Sequence, residues 1–201
     1  MKRSSRNAVR TKQEIIEKSA PLFNTHGYVG TSMKMLVKAT GFQTGGIYRH
    51  FDSKMKLAEA VFIYNYENLL KKNLEFDPSL DPKEKLLSLL DNYKKMVVKP
   101  RIKGGCPVLN TAIEVDDTDE SLRLLAKSFA DEILAAIVEV LEEGKMAGLF
   151  KAEIEAKKEA LYLFATLEGA IMLGKLSKSA KPLFEIFDQV RRYLDNHIFT
   201  A

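Results

Sequence analysis

Between Gln43 and Lys54 the chain reads QTGGIYRHFDSK, a cluster of hydrogen-bond donors and cations around two glycines. The amide of Gln43 offers a donor and an acceptor side by side, the pattern that pairs with the major-groove edge of adenine. Thr44 adds a hydroxyl next to it, and Gly46 carries no side chain to hold a groove wall away. Tyr48 and His50 can donate to phosphate oxygens, and Lys34, Arg49 and Lys54 bring positive charge to the same stretch. Thr31 stands where a hydroxyl and the first N–H groups of a helix could together hold a phosphate.

Such residues read DNA only when a rigid frame presents them, and the stretch Thr31 to Lys54 has the pattern of one. Met33, Leu36 and Val37 fall three and four apart, the spacing of one helix face. Thr31 or Ser32 can cap that helix. Gly41 can take the positive φ that ends it. A second short helix is expected from about residue 43 to 51, with Phe42 at its entrance and Ile47 and Phe51 four apart on its inner face. Helix, glycine turn and helix make a helix-turn-helix, whose second helix enters the major groove.

These residues resemble the DNA-binding domain of the TetR family of bacterial transcriptional regulators. The matching positions are Gly27-Tyr28, Thr31-Ser32, Gly41, Gly45, Tyr48, His50-Phe51 and Ser53-Lys54. The motif covers about the first quarter of the chain, and the helical remainder follows more loosely. The resemblance implies that Tyr48 contacts phosphate, whereas Phe51 reads as a packed core aromatic. At Gly46 the family often carries Thr, so the resemblance bears on the fold and not on the base preference.

Charge supports a polyanion partner for the head alone. The 201-residue chain has a net charge of +4. Residues 1–54 hold ten basic and three acidic side chains, a balance of +7 that leaves −3 for the rest. The apolar and charged fractions are those of an ordinary globular protein. No uninterrupted apolar run long enough for a membrane span is seen, and the basic N-terminus lacks the apolar core of a signal peptide. The single cysteine, Cys106, excludes an intramolecular disulfide and fits a cytoplasmic location.

Residues 1 to about 10 read as a disordered basic arm. A first helix is expected from about Thr11 to His26, kinked at Pro21 and ended by Gly27. Ser53 then caps a fourth helix, the one covalent link from the head to the body of the chain. Further helical patterns cover about 82–98, 107–115, 119–145, 154–178 and 181–199, with no strand pattern and no repeat. The expected architecture is therefore all-α: a helix-turn-helix domain of residues 1–54 and a helical ligand-binding and dimerisation domain of 55–201.

In the second domain the segment GGCPVLNTAIE, residues 104–114, is the informative one. Asn110 and Glu114 lie four apart on one helix face. They could bind a ligand or cap neighbouring backbone. Similar Gly-Cys-Pro…Asn…Glu segments occur in a subset of TetR-like regulators at the edge of the ligand pocket. Tyr93, Met96, Val97, Leu109, Ile113, Phe129, Ile133, Phe164 and Leu167 are the apolar candidates for such a pocket. Cys106, with only Lys103 near it in sequence, reads as a buried thiol before a redox sensor.

Small residues in rows of four, Ala165/Gly169 and Ala170/Gly174, allow close helix packing. With Phe184, Phe187, Val190 and Leu194 on the last helix they suggest a two-fold dimer interface. The three histidines lie far apart, and no nucleophile elbow, phosphate loop or paired cysteine motif occurs. No catalytic residue, metal or cofactor is expected. The reading is a homodimeric repressor of a palindromic DNA operator, released by a small apolar or aromatic effector. The alternatives are an activator, a ligand-independent or Cys106-redox regulator of the same fold, or a helical small-molecule carrier that does not bind DNA.

Overall fold

The computed structural model describes residues 2–200 and, from Asn7, their side chains. The helices in chain order are α1 (Lys2–Gly30), α2 (Met33–Thr40), α3 (Thr44–Tyr48) and α4 (Lys54–Tyr66), followed by α5 (Pro82–Val98), α6 (Pro107–Val115), α7 (Glu120–Met146), α8 (Ala156–Ser177) and α9 (Lys181–Tyr193). A π-helical turn, Glu67–Lys71, and a last α turn, Lys72–Leu74, extend α4; the π-helical turn Leu194–Ile198 extends α9. Among the described residues there is no strand, only an isolated bridge between Phe150 and Phe199. The chain is all-α, as its periodicity predicts.

The basic arm expected over the first ten residues is instead part of α1, which is already helical at Lys2; Met1 lies outside the described residues. The reason is local. Residues 2–20 contain neither Gly nor Pro and are rich in Arg, Lys and Glu, which lose little rotamer freedom in a helix. Gly27, at φ 70° and ψ −178°, interrupts the helix where its sequence predicts a stop.

The chain forms two compact units. The first runs to Leu70 and adds Ile102–Ala126; the second is Lys71–Arg101 and the chain from Lys127 onward. The first unit therefore holds the whole of residues 1–54 and also all of α4, all of α6 and the first turns of α7. The chain passes from one unit to the other three times, and α4 lies wholly within the first.

In the first unit α1 packs on α2, α4 and α6. Ile15, Ala20, Phe23, Leu36, Ile47, Phe51, Leu57, Ala58 and Val61 form its buried core, and Ile102 packs against it. In the second unit α8 packs on α9, and α9 on α5. Asp81 and Glu84 form a reciprocal capping box at the start of α5. The chain end is tied back by Lys151 N–H to Ile198 O (2.8 Å) and Thr200 N–H to Leu149 O (3.0 Å). α8 is long and apolar enough to cross a membrane by length and composition. Leu163, Leu167, Ala170 and Ile171 on it are buried in the core, which accounts for much of that apolarity.

Candidate nucleic-acid interface

The frame around Gln43 is built as its residue types require. Ser32 caps α2, its Oγ accepting from Met35 N–H at 3.2 Å. Gly41 closes α2 in the left-handed conformation, φ 79° and ψ 0°, and donates to Val37 O. Ile47 and Phe51 are buried under the short α3. That helix ends at Tyr48, three residues before the expected limit. The N–H groups of both His50 and Phe51 turn onto Ile47 O, which finishes the helix in a tight turn.

This leaves most of the side chains expected to read DNA on the outside. Gln43 occupies the N-cap position of α3 without bonding the backbone, so its amide stays available. Lys34, Gln43, Thr44 and Arg49 are exposed, Gly46 and His50 half-buried, and Tyr48 is 43% exposed. A Cβ on Gly46 would meet Phe42 only at ordinary contact distance, 3.7 Å, so the open backbone there is not forced by the fold.

Two of the expected DNA contacts turn out to be internal ties. Thr31 is fully buried; its hydroxyl donates to Gly27 O at 2.6 Å and to Leu22 O at 3.3 Å. It holds the end of α1 to the start of α2 and has no face toward solvent. Lys54, half-buried, donates its ammonium to Tyr28 O and lies 4.4 Å from the centre of the Tyr28 ring. Burial lowers the pKa of this ammonium, and the charge of Glu114 acts against that. A hydroxyl and a cation next to a helix start suit phosphate binding, but they suit tying a turn equally well.

Asn110 and Glu114 fulfil the capping alternative. The Glu114 carboxylate accepts from Tyr28 N–H (2.8 Å) and Val29 N–H (2.9 Å). The Asn110 amide donates to Asn24 O (3.0 Å) and Gly104 O (2.8 Å). Asn24, a buried residue the sequence did not single out, donates to Lys103 O (3.0 Å) and Gly105 O (3.1 Å). A Cβ at Gly104, whose φ is 124°, would stand 2.3 Å from Asn24 O. A polar residue in an apolar helical stripe was the only available sign of this network. Cys106 is buried, and its Sγ accepts from Leu109 N–H at 3.5 Å as the α6 cap.

The ligand candidates do not form one site within either unit. Leu109, Asn110, Ile113 and Glu114 belong to the first unit, and Tyr93, Met96, Val97, Phe129, Ile133, Phe164 and Leu167 to the second. Ile113 points outward, 62% exposed, while Tyr93, Met96, Ile133 and Leu167 are buried core. Of all these residues only Glu114 lines the cleft of the first unit, a space of about 30 Å³ walled by Phe23, Tyr28, Phe62, Asn65 and Thr111 among others. That is room for a water or two, far below the hundreds of Å³ of a drug-sized site.

The dimer candidates split by helix face. Ala170, Gly174, Phe187, Val190 and Leu194 are buried within their own unit, where α8 packs on α9. They therefore offer no surface to a second chain. Ala165 and Gly169 face the other way, on a stripe with the exposed Leu161, Tyr162, Met172, Leu173 and Leu176. Phe184 on α9 is also partly exposed, with the Lys94 ammonium 4.8 Å from its ring centre.

Comparison with known proteins agrees with this frame. Residues 15–61 match the bacterial regulatory proteins of the tetR family, and residues 82–191 match the tetracyclin repressor-like C-terminal domain. An HTH-type transcriptional repressor, DhaR, from Mycobacterium sp. (strain GP1) is 23% identical over 86% of each chain. A TetR transcriptional regulator from Chloroflexus aurantiacus J-10-FL has a crystal structure that superposes with a TM-score of 0.91 at 34% identity, covering 98% of this chain and all of that one. A second, from Cytophaga hutchinsonii, gives 0.85 at 30% identity, covering 97% and 98%.

Proposed function

The chain belongs to the TetR family of bacterial DNA-binding transcriptional regulators, and on that basis we propose that it is a homodimeric repressor of a palindromic operator. The observation that carries the reading is the presentation of Gln43 and Thr44, exposed and uncommitted at the start of α3, over a buried Ile47 and Phe51. Two such helices related by a two-fold axis fit half-sites about 34–36 Å apart. The dimer forms through the outer stripe of α8, where Gly169 has nothing within 4 Å of its missing side chain and can admit a second helix. The effector is a small apolar or aromatic compound that binds the released state more tightly than the operator-bound one. A preference of ~10⁴-fold moves the population from mostly bound to mostly free. The aromatic and methionine side chains of the second unit support an effector of this chemistry. A regulator that reads chromosomal DNA works in the cytoplasm, and the reading needs no catalytic step.

The test begins with selection of bound genomic fragments by the purified protein, followed by a salt series on the winning fragment. Specific binding whose logarithm falls linearly with log salt supports the reading and counts the phosphate contacts. Absence of any enriched fragment leaves the carrier alternative. Tyr48→Ala is expected to weaken all DNA sequences alike. Gln43→Ala is expected to lose about 1–3 kcal/mol of discrimination at a single base pair. Competition against single-base operator variants tells these two effects apart. Release of the fragment by compounds added one at a time then tests the effector; release by an oxidant in the wild type but not in Cys106→Ser would favour the redox alternative.

A further inference from the structure

The turn that carries the chain from α1 into the helix-turn-helix is gripped from two sides. From α6, both oxygens of Glu114 accept the consecutive N–H groups of Tyr28 and Val29, at 2.8 and 2.9 Å. From the start of α4, the Lys54 ammonium takes the carbonyl of the same Tyr28 and covers its ring. Gly27 is shaped to this grip: a Cβ there would lie 2.4 Å from a Glu114 oxygen. Four residues on from Gly27, the buried Thr31 hydroxyl fastens the turn to the end of α1. Hydrogen bonds to a carboxylate are about twice as strong as neutral ones. Two on adjacent amides fix direction as well as distance.

We propose that Glu114 is a positioning residue for operator recognition: through its paired bonds to Tyr28 and Val29, α6 sets the angle at which α2 and α3 are presented to the groove. Glu114 itself need not touch DNA, and its effect is exerted through the Gly27–Val29 turn. The proposal rests on the operator-binding reading, and the wild-type control separates the two: without an operator for the wild type that reading fails, and with one the variants decide this proposal.

The experiment compares wild type, Glu114→Gln and Glu114→Asp on the selected operator and on random DNA of equal length, with thermal unfolding and amide exchange on the same samples. Gln keeps one acceptor but turns an NH₂ toward the other backbone donor; Asp keeps the charge but falls a methylene short. Operator affinity is expected to drop at least about tenfold in Glu114→Gln. Binding to random DNA, which depends on charge, should stay within about twofold. The Tyr28 and Val29 amides should lose exchange protection. A role in stability alone lowers both affinities in step with the folded fraction and leaves their ratio unchanged. That result overturns the proposal. So does a folded Glu114→Gln with the operator affinity of the wild type, or a failure of both variants to fold.

Discussion

Gly169→Glu is expected to make the protein monomeric while leaving each chain as well folded as before or better. The two halves of this outcome have separate causes. Within one chain the site is open: a Cβ at Gly169 meets nothing within 4 Å, and replacing a mid-helix glycine with a good helix former stabilises a helix by about 0.5–1 kcal/mol. Between chains the same side chain would put bulk and charge into the proposed seam of Leu161, Ala165, Gly169, Met172 and Leu176, where close approach needs a small residue. A buried unpaired carboxylate there costs several kcal/mol, once from each subunit. Loss of the dimer removes the second half-site contact, so operator affinity should fall by about 10²–10⁴. Light scattering after size exclusion reads the mass, and titration of the operator reads the affinity. A Gly169→Glu protein that stays dimeric and binds as before places the interface elsewhere.

The second large effect is on stability. Gly27→Ala should destabilise the protein by about 3–5 kcal/mol, whereas Gly41→Ala should cost only about 1–2 kcal/mol. Both glycines have positive φ, 70° and 79°. Gly41 sits in the ordinary left-handed region with open space around it, so only the backbone preference is lost and Asn should substitute well. Gly27 pairs its positive φ with a ψ of −178°, a region that side-chain-bearing residues hardly enter. Its new methyl would also displace the Glu114 carboxylate and with it two charge-assisted bonds. At about 2–4 °C per kcal/mol for a chain of this size, the gap between the variants should be roughly 5–10 °C in melting temperature. The comparison is made at one protein concentration, because the proposed dimerisation would add to apparent stability. Equal melting shifts for the two variants would show that the Glu114 grip contributes nothing.

The reach of sequence reasoning depends on how local each cause is. Ser32, Gly41 and Ser53 were legible because caps and positive-φ turns are set within four residues of the chain. Ile47 and Phe51 were legible because their spacing on one helix face requires a core beneath them. The all-α architecture, and the placing of Gln43 and Thr44 at the exposed start of α3, come from those signals and from the family resemblance. Tertiary structure decided where chemically ambivalent groups went. Thr31, Lys54, Asn110 and Glu114 have side chains that serve a ligand, a phosphate or a backbone amide equally well. Which partner each takes depends on segments up to 86 residues away, such as Asn24 for Asn110 and Tyr28 for Glu114. Likewise, rows of small residues on α8 announce close packing without saying which row faces inward. Ala170 and Gly174 went to α9 and Ala165 and Gly169 were left outside, because one side of α8 is covered by its own chain and the other is open.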